Sequence, residues 1–381
     1  MRTIGLYIHI PFCIQKCSYC DFRSFEKQEE AAMEAYVSAL LKEIEEQGDF
    51  YGGFFYVNSI FIGGGTPTAL SAEQLARILT GLTRSFRMLR GCEITIEANP
   101  GTLDKGKLET CLFYGANRLS IGLQSLDNAH LKTLGRIHTK EMFLENYQLA
   151  RNTGFDNINL DLMFAFPGQT LAGWRDTLAE AVSLRPEHIS FYSLQLEEGT
   201  PLWDAVHSGA HTVVDEETDR AMYHHAVRFL KDAGYTHYEI SNAAKPGFQC
   251  CHNLKYWSLA EYLGLGLGAH SYVDGNRFSN QEDLDGYIQA VEEGEGETIT
   301  VWEHANSLEE EISEFIFLGL RKMEGISLEE FFLEFQEDIF DRFEGEITDM
   351  QRDGLVELSG GMLRLTPKGI DVSNRVFVKF V

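Results

Sequence analysis

Through roughly the first 240 residues the chain alternates short apolar runs, rich in β-branched residues, with longer stretches whose apolar positions recur every three to four residues. That alternation predicts βα units and a parallel sheet. Six strands are predicted, near residues 4–10, 57–62, 93–97, 118–122, 157–162 and 188–194, with helical segments such as 30–47 between them. Right-handed crossovers between parallel neighbours curl such a sheet. The expected fold is therefore α/β, a partial (β/α)6 TIM-like barrel over residues 1–240.

The pattern then changes. Residues 246–272 are rich in Gly, Cys and aromatic side chains, and Gly264, Gly266, Gly268 and Gly275 bar a long regular helix. Irregular, site-forming chain is expected over 241–300. From about Ser307 an acidic helix (308–323) is expected, then further helical segments. A hairpin follows, in which Gly360-Gly361 joins 355–358 to 362–365. Residues 301–381 thus read as a small C-terminal helical, winged-helix-like domain. Its function is packing rather than DNA binding, because Glu309, Glu310, Glu311 and Glu314 repel phosphate.

Composition narrows the function classes. With 58 acidic against 32 basic residues, the formal charge of −26 argues against capture of nucleic acid or anionic membranes. No stretch approaches a membrane span and no secretory h-region is seen. Three of the seven cysteines fall within eight positions, which suits metal ligation in a reducing compartment better than a disulfide framework. The expected location is the cytoplasm.

Cys13-x3-Cys17-x2-Cys20 directly follows the first strand. Three thiolates in one compact loop can hold three corners of a [4Fe-4S] cubane and leave the fourth iron free. The competing reading is a zinc site completed by His9 or His252, for which this spacing is unusual. With Tyr19 just before the last cysteine, these residues resemble the radical S-adenosylmethionine (SAM) superfamily. The resemblance implies that SAM chelates the open iron and that one electron can break its C5′–S bond. Independently, polar residues fall at successive strand ends, where (β/α) barrels gather reactive groups. Strand one delivers the cysteines and strand two Gly63-Gly64-Gly65-Thr66-Pro67. Glu97, Gln124 and Asp161 close strands three, four and five. Glu97 suits the cosubstrate ammonium, Gln124 and Asp161 its ribose, and Arg136 its carboxylate.

The resemblance tightens over Tyr7-Ile8-His9-Ile10-Pro11-Phe12-Cys13, Gly63–Thr68, Asp161-Leu162 and Pro167-Gly168-Gln169-Thr170. It is to the branch holding oxygen-independent coproporphyrinogen III dehydrogenase (HemN) and the HemW haem chaperones. In that branch the SAM-binding positions correspond to Tyr7, Gly64, Gly65, Thr66, Glu97, Gln124, Arg136 and Asp161. The dehydrogenase has a fourth cysteine two positions past the third, where this chain has Phe22, and a long N-terminal arm, where only twelve residues precede Cys13. His252-Asn253-Leu254-Lys255-Tyr256-Trp257 matches the HNxxYW pattern that the chaperones use for haem.

The resemblance implies His252 as a haem-iron ligand, Tyr256 and Trp257 as faces for the macrocycle, and haem as cargo for acceptor haemoproteins, respiratory ones among them. It further implies an electron donor and a cluster-favoured homodimer or transfer-competent state. The bland alternative has His252 capping a turn and the two aromatics plugging the barrel floor. A carrier is favoured over a catalyst. The catalytic alternatives are a radical oxidoreductase that decarboxylates a porphyrinogen and an unrelated radical SAM enzyme.

Overall fold

The computed structural model describes residues 2–26, 28–294 and 299–381. Six parallel strands stand side by side in chain order: β1 (Thr3–Ile10), β2 (Tyr56–Gly64), β3 (Met88–Ala98), β4 (Arg118–Gln124), β5 (Ile158–Phe164) and β6 (His188–Ser193). All six are the strands expected from the apolar runs. β4 is buried at every position, as a parallel strand covered on both faces must be. Side-chain caps start the crossover helices: Ser71 with Gln74 forms a capping box, and Asp104, Thr139 and Thr170 each accept a backbone N–H of the first turn.

The sheet continues past the six. Tyr262–Leu265 pairs parallel with the outer edge of β1, followed by antiparallel His270–Val273, Asn276–Asn280 and Thr300–Ala305. Asn242–Ala244 and Thr236–Glu239 extend the β6 edge. The expectation of irregular chain over 241–300 is therefore corrected: its described residues form strands plus the helices Cys251–Trp257 and Leu284–Glu293. The glycines that forbid a helix here serve close strand packing instead. A Cβ on Gly264 would lie 2.2 Å from the His270 carbonyl oxygen.

One buried carboxylate ties this extension to the barrel. Glu43, on the long helix Glu30–Tyr51, is 1% exposed. It accepts from the Gly266 N–H (2.8 Å), the Tyr287 hydroxyl (2.6 Å) and Asn280 Nδ2 (2.6 Å). Burial pushes its pKa up to about 7 despite these donors.

The main apolar core runs from Ile4 to Ile299, and a second one is built from residues such as Ile316, Phe331, Ile347 and Leu363. The expected acidic helix forms as Leu308–Gly319, with Ser307 and Glu310 as its capping box. The expected hairpin forms from Val356–Ser359 and Met362–Leu365, with Gly360 and Gly361 both at positive φ. Among the described residues no helix is long and apolar enough to cross a membrane.

Glu43→Ala strands three buried donors, so it should lower the unfolding free energy by about 2–4 kcal/mol, read as a drop in the urea midpoint at unchanged m. Between its ordinary pKa and about 7 the folded chain holds a proton on Glu43 that the unfolded chain has lost. Stability should therefore fall as pH rises through that window, and this part of the pH profile should disappear in the variant.

Candidate functional site

The cysteine loop is pinned before any ligand enters. Phe12–Cys13 pairs with Phe25–Glu26 and closes its base. Ser18 donates its N–H to the Leu134 carbonyl (3.1 Å) and its hydroxyl to that of Thr133 (3.0 Å). Gly135 must be glycine: its φ is +72°, and a Cβ there would lie 2.8 Å from the Ser18 nitrogen.

The β2 turn grips the other side. Gly65 N–H donates to the Ile10 carbonyl (2.8 Å) and Thr66 N–H to that of Phe12 (2.7 Å). A Cβ on Gly64 would meet the His9 ring at 2.5 Å.

Cys13, Cys17 and Cys20 line one cleft with Tyr19, Gly64, Gly65, Thr66, Glu97, Gln124, Arg136 and Asp161. Tyr7 does not line it. Its hydroxyl is turned to His9 Nδ1 (3.0 Å) and its ring stacks on Phe61. Thr66 donates to Cys13 Sγ (3.6 Å) and Arg136 Nη1 to Cys17 Sγ (3.3 Å). Burial raises the thiol pKa of Cys13, and that of Cys20 to about 11, a cost that iron coordination must overcome.

Among the described residues no three His, Cys, Asp or Glu side chains converge as ligands of a single metal ion. The zinc alternative also lacks its fourth ligand. His9 is held by Tyr7 and the Arg23 carbonyl, and His252 by Ser59 and Tyr256. A cubane, which spreads three thiolates over separate corners, suits the loop better.

Two half-buried carboxylates face the cleft. Burial, then the neighbouring Asp161, push Glu97 up to about 8, and burial also raises Asp161. Glu97 accepts from the Gly64 N–H (3.1 Å), and Asp161 from Asn159 (2.7 Å) and Ser120 (3.3 Å). Such a pair favours a cationic ligand, which compensates the charge that burial penalises. Gln124, at φ +62°, accepts from the Tyr192 hydroxyl (2.9 Å).

Among the lining residues that sequence reasoning missed are Asn99 and Tyr192. Asn99 bridges Thr66 (2.7 Å) and Arg136, and Tyr192 comes from β6. Both obey the strand-end rule that found the others. Asn99 directly follows β3, and β6 was the one strand given no site residue.

The HNxxYW residues lie elsewhere. Strand register sets Gly5, Ser59 and Glu93 side by side, in the half of the barrel away from the cysteines. The Cys251–Trp257 helix packs at that level. Glu93 accepts the N–H groups of Cys251 and His252, each at 3.1 Å. His252 is 1% exposed, with Nδ1 3.0 Å from the Ser59 hydroxyl and Nε2 3.0 Å from that of Tyr256. Burial lowers its pKa to about 3, so it is neutral. Arg321 sits 4.3 Å over the Trp257 ring. Asn253 is partly buried beside them. In this arrangement the helix plugs the floor and His252 offers no free nitrogen.

A polar chain nevertheless joins the two ends. Asp161 bonds Asn159, Asn159 meets His188 Nδ1 (2.6 Å), His188 Nε2 meets the Tyr238 hydroxyl (2.8 Å), and that oxygen accepts the Cys250 N–H (3.3 Å).

Residues 7–181 match the radical SAM superfamily and 306–372 the HemN C-terminal domain. The heme chaperone HemW of Lactococcus lactis is 34% identical over 98% of this chain and 96% of its own length, and that of Bacillus subtilis 37% identical over 98% of each. In fold, the chain is similar over its whole length to 90% of the solved Escherichia coli coproporphyrinogen III oxidase HemN, at a TM-score of 0.87 and 23% identity. Membership of the superfamily implies a [4Fe-4S] cluster and SAM. Matched end to end by such relatives and built on this barrel, the chain belongs to the HemW family of radical SAM proteins.

Proposed function

We propose that this chain is a cytoplasmic haem chaperone. It holds a [4Fe-4S] cluster on Cys13, Cys17 and Cys20, binds SAM across the strand ends, and passes haem to acceptor haemoproteins. The observation that carries the radical half of this reading is the convergence of three thiols and the strand-end polar set on one cleft. The chaperone half is supported by the names of the relatives that match the chain end to end. Phe22, at the dehydrogenase's fourth-cysteine position, is 65% exposed and brings no thiol.

The bound cluster supplies single-electron chemistry to SAM. The chain's own groups do the positioning. Arg136, fixed by Asn99 and the Gly122 carbonyl (2.5 Å), offers its guanidinium both to Cys17 and to a carboxylate in the cleft. Glu97 offers an acceptor to an ammonium, and Asp161 and Gln124 offer acceptors to hydroxyls. Haem ligation by His252 would require breaking its bonds to Ser59 and Tyr256, so these contacts count against it as the resting ligand.

Two outcomes follow. Anaerobically reconstituted protein should hold about four irons per chain, and Cys13→Ser, Cys17→Ser or Cys20→Ser should abolish most of this while leaving the far-ultraviolet dichroism intact. Retained iron and sulfide would refute the assignment. Protonation of Glu97 competes with cation binding, so SAM affinity of the wild type should climb as pH rises toward the Glu97 pKa of about 8. Glu97→Gln should bind about 10- to 100-fold more weakly above it, with a flatter pH profile, as measured by calorimetry. Protoporphyrinogen formed anaerobically from coproporphyrinogen III would replace the chaperone reading with the dehydrogenase one.

A further inference from the structure

The C-terminal domain reaches the barrel floor through one short segment. Residues 321–323 run beside the strand Thr236–Glu239. Met323 donates its N–H to the Tyr238 carbonyl (3.0 Å), Ile240 donates to that of Arg321 (3.1 Å), and Glu239 and Lys322 form an antiparallel bridge. Lys322 Nζ also donates to Ser258 Oγ (3.4 Å), just past the Cys251–Trp257 helix. Backbone bonds thus fix where the Arg321 side chain starts, and its guanidinium lies 4.3 Å over the Trp257 ring.

Neither member of that stack is satisfied. Trp257 Nε1 and Arg321 Nε are both buried with no hydrogen-bond partner among the described residues. Glu239 pulls on Arg321 from beyond ion-pair distance, and its Oε1 is already taken by the Ser241 N–H (3.2 Å) and Asn242. Arg220, close by, shows the contrast, with Asp219 and Asp371 both on its guanidinium. A guanidinium cannot shed its proton, so a half-buried one without an anion keeps much of its desolvation cost. Burial accordingly lowers the Arg321 pKa. Stacking on an indole offsets part of the cost but satisfies neither N–H.

What both groups lack is a negatively charged acceptor. A carboxylate, with two oxygens, takes donors from a guanidinium and an indole together. There is room for one to enter. Arg321 lines a cavity of about 490 Å³ between the end of β6, the Glu216–Asp232 helix and residues 370–374. That volume is within the usual range of small-ligand sites. The same cavity takes in Tyr192, a residue of the cluster cleft.

Resting on the chaperone reading, we infer that Arg321 and Trp257 Nε1 together hold a carboxylate of the cargo, one propionate of a haem docked at the Cys251–Trp257 helix. The C-terminal domain then has a task beyond packing. It sets a fixed cation beside that helix, and the cargo acid completes a contact between the two units.

The test is a Soret titration of the full-length, anaerobically prepared chain with haem and with haem dimethyl ester. The wild type should bind haem about tenfold to a hundredfold more tightly than the ester. Arg321→Gln should remove that preference by weakening haem and leaving the ester where it was, and Arg321→Lys, which keeps the charge, should restore part of it. Trp257→Phe, which keeps a flat ring and loses the N–H, should narrow the preference by a smaller factor. Three outcomes overturn the assignment and leave the chaperone reading standing: a wild type that binds acid and ester equally, an Arg321→Gln that keeps the preference, or one that loses both ligands in equal measure. A wild type that binds no haem overturns both.

Discussion

The structure depends on how closely the glycine turn after β2 can approach the end of β1. Gly65 and Thr66 donate their N–H groups to the Ile10 and Phe12 carbonyls, and a Cβ on Gly65 would lie 2.8 Å from the Phe12 oxygen and 2.9 Å from the Ile10 oxygen. Only a bare backbone fits there. That contact sets the base of the cysteine loop and puts Thr66 beside Cys13. It also brings the Gly64 N–H to Glu97. Cluster loop and cosubstrate groups thus share one rigid rim.

Behind the rim the barrel interior is polar, and its bonds are committed. Asp161, Asn159, His188 and Tyr238 hand hydrogen bonds along the lumen to the start of the Cys251–Trp257 helix. Buried Arg118 stands among them, bonded to Thr95 (3.4 Å) with its Nε unpartnered among the described residues. Unmatched buried donors are costly, so a change of charge at Asp161 is felt along this row. The same economy holds His252 between Ser59 and Tyr256. His224, whose imidazole meets the Asp371 carboxylate, lies on a helix outside the barrel.

Much of this was legible in the chain because it is local or periodic. Six apolar runs became six strands, and residues such as Glu97 and Asp161 followed from the rule that strand ends gather at one mouth. Asn99 and Tyr192 obey the same rule and were findable. The glycines of 241–300 were misread because helix breaking and close strand packing leave the same mark, and Gly264 shows the second. The floor position of the 251–257 helix was only one of two readings open in the sequence. It is fixed by Glu93 accepting N–H groups from residues 158 and 159 positions away, a contact no sequence period encodes. The pairing of His224 with Asp371, 147 positions distant, is likewise beyond any local pattern.

The central claim is that three sulfur ligands leave one iron accessible to a cosubstrate held by the strand ends. Paramagnetic resonance of the dithionite-reduced, anaerobic protein, recorded with and without SAM, addresses it directly. The account predicts a [4Fe-4S]⁺ signal whose g values shift when SAM is added. A signal that SAM leaves unchanged, or no cluster signal at all, would contradict it.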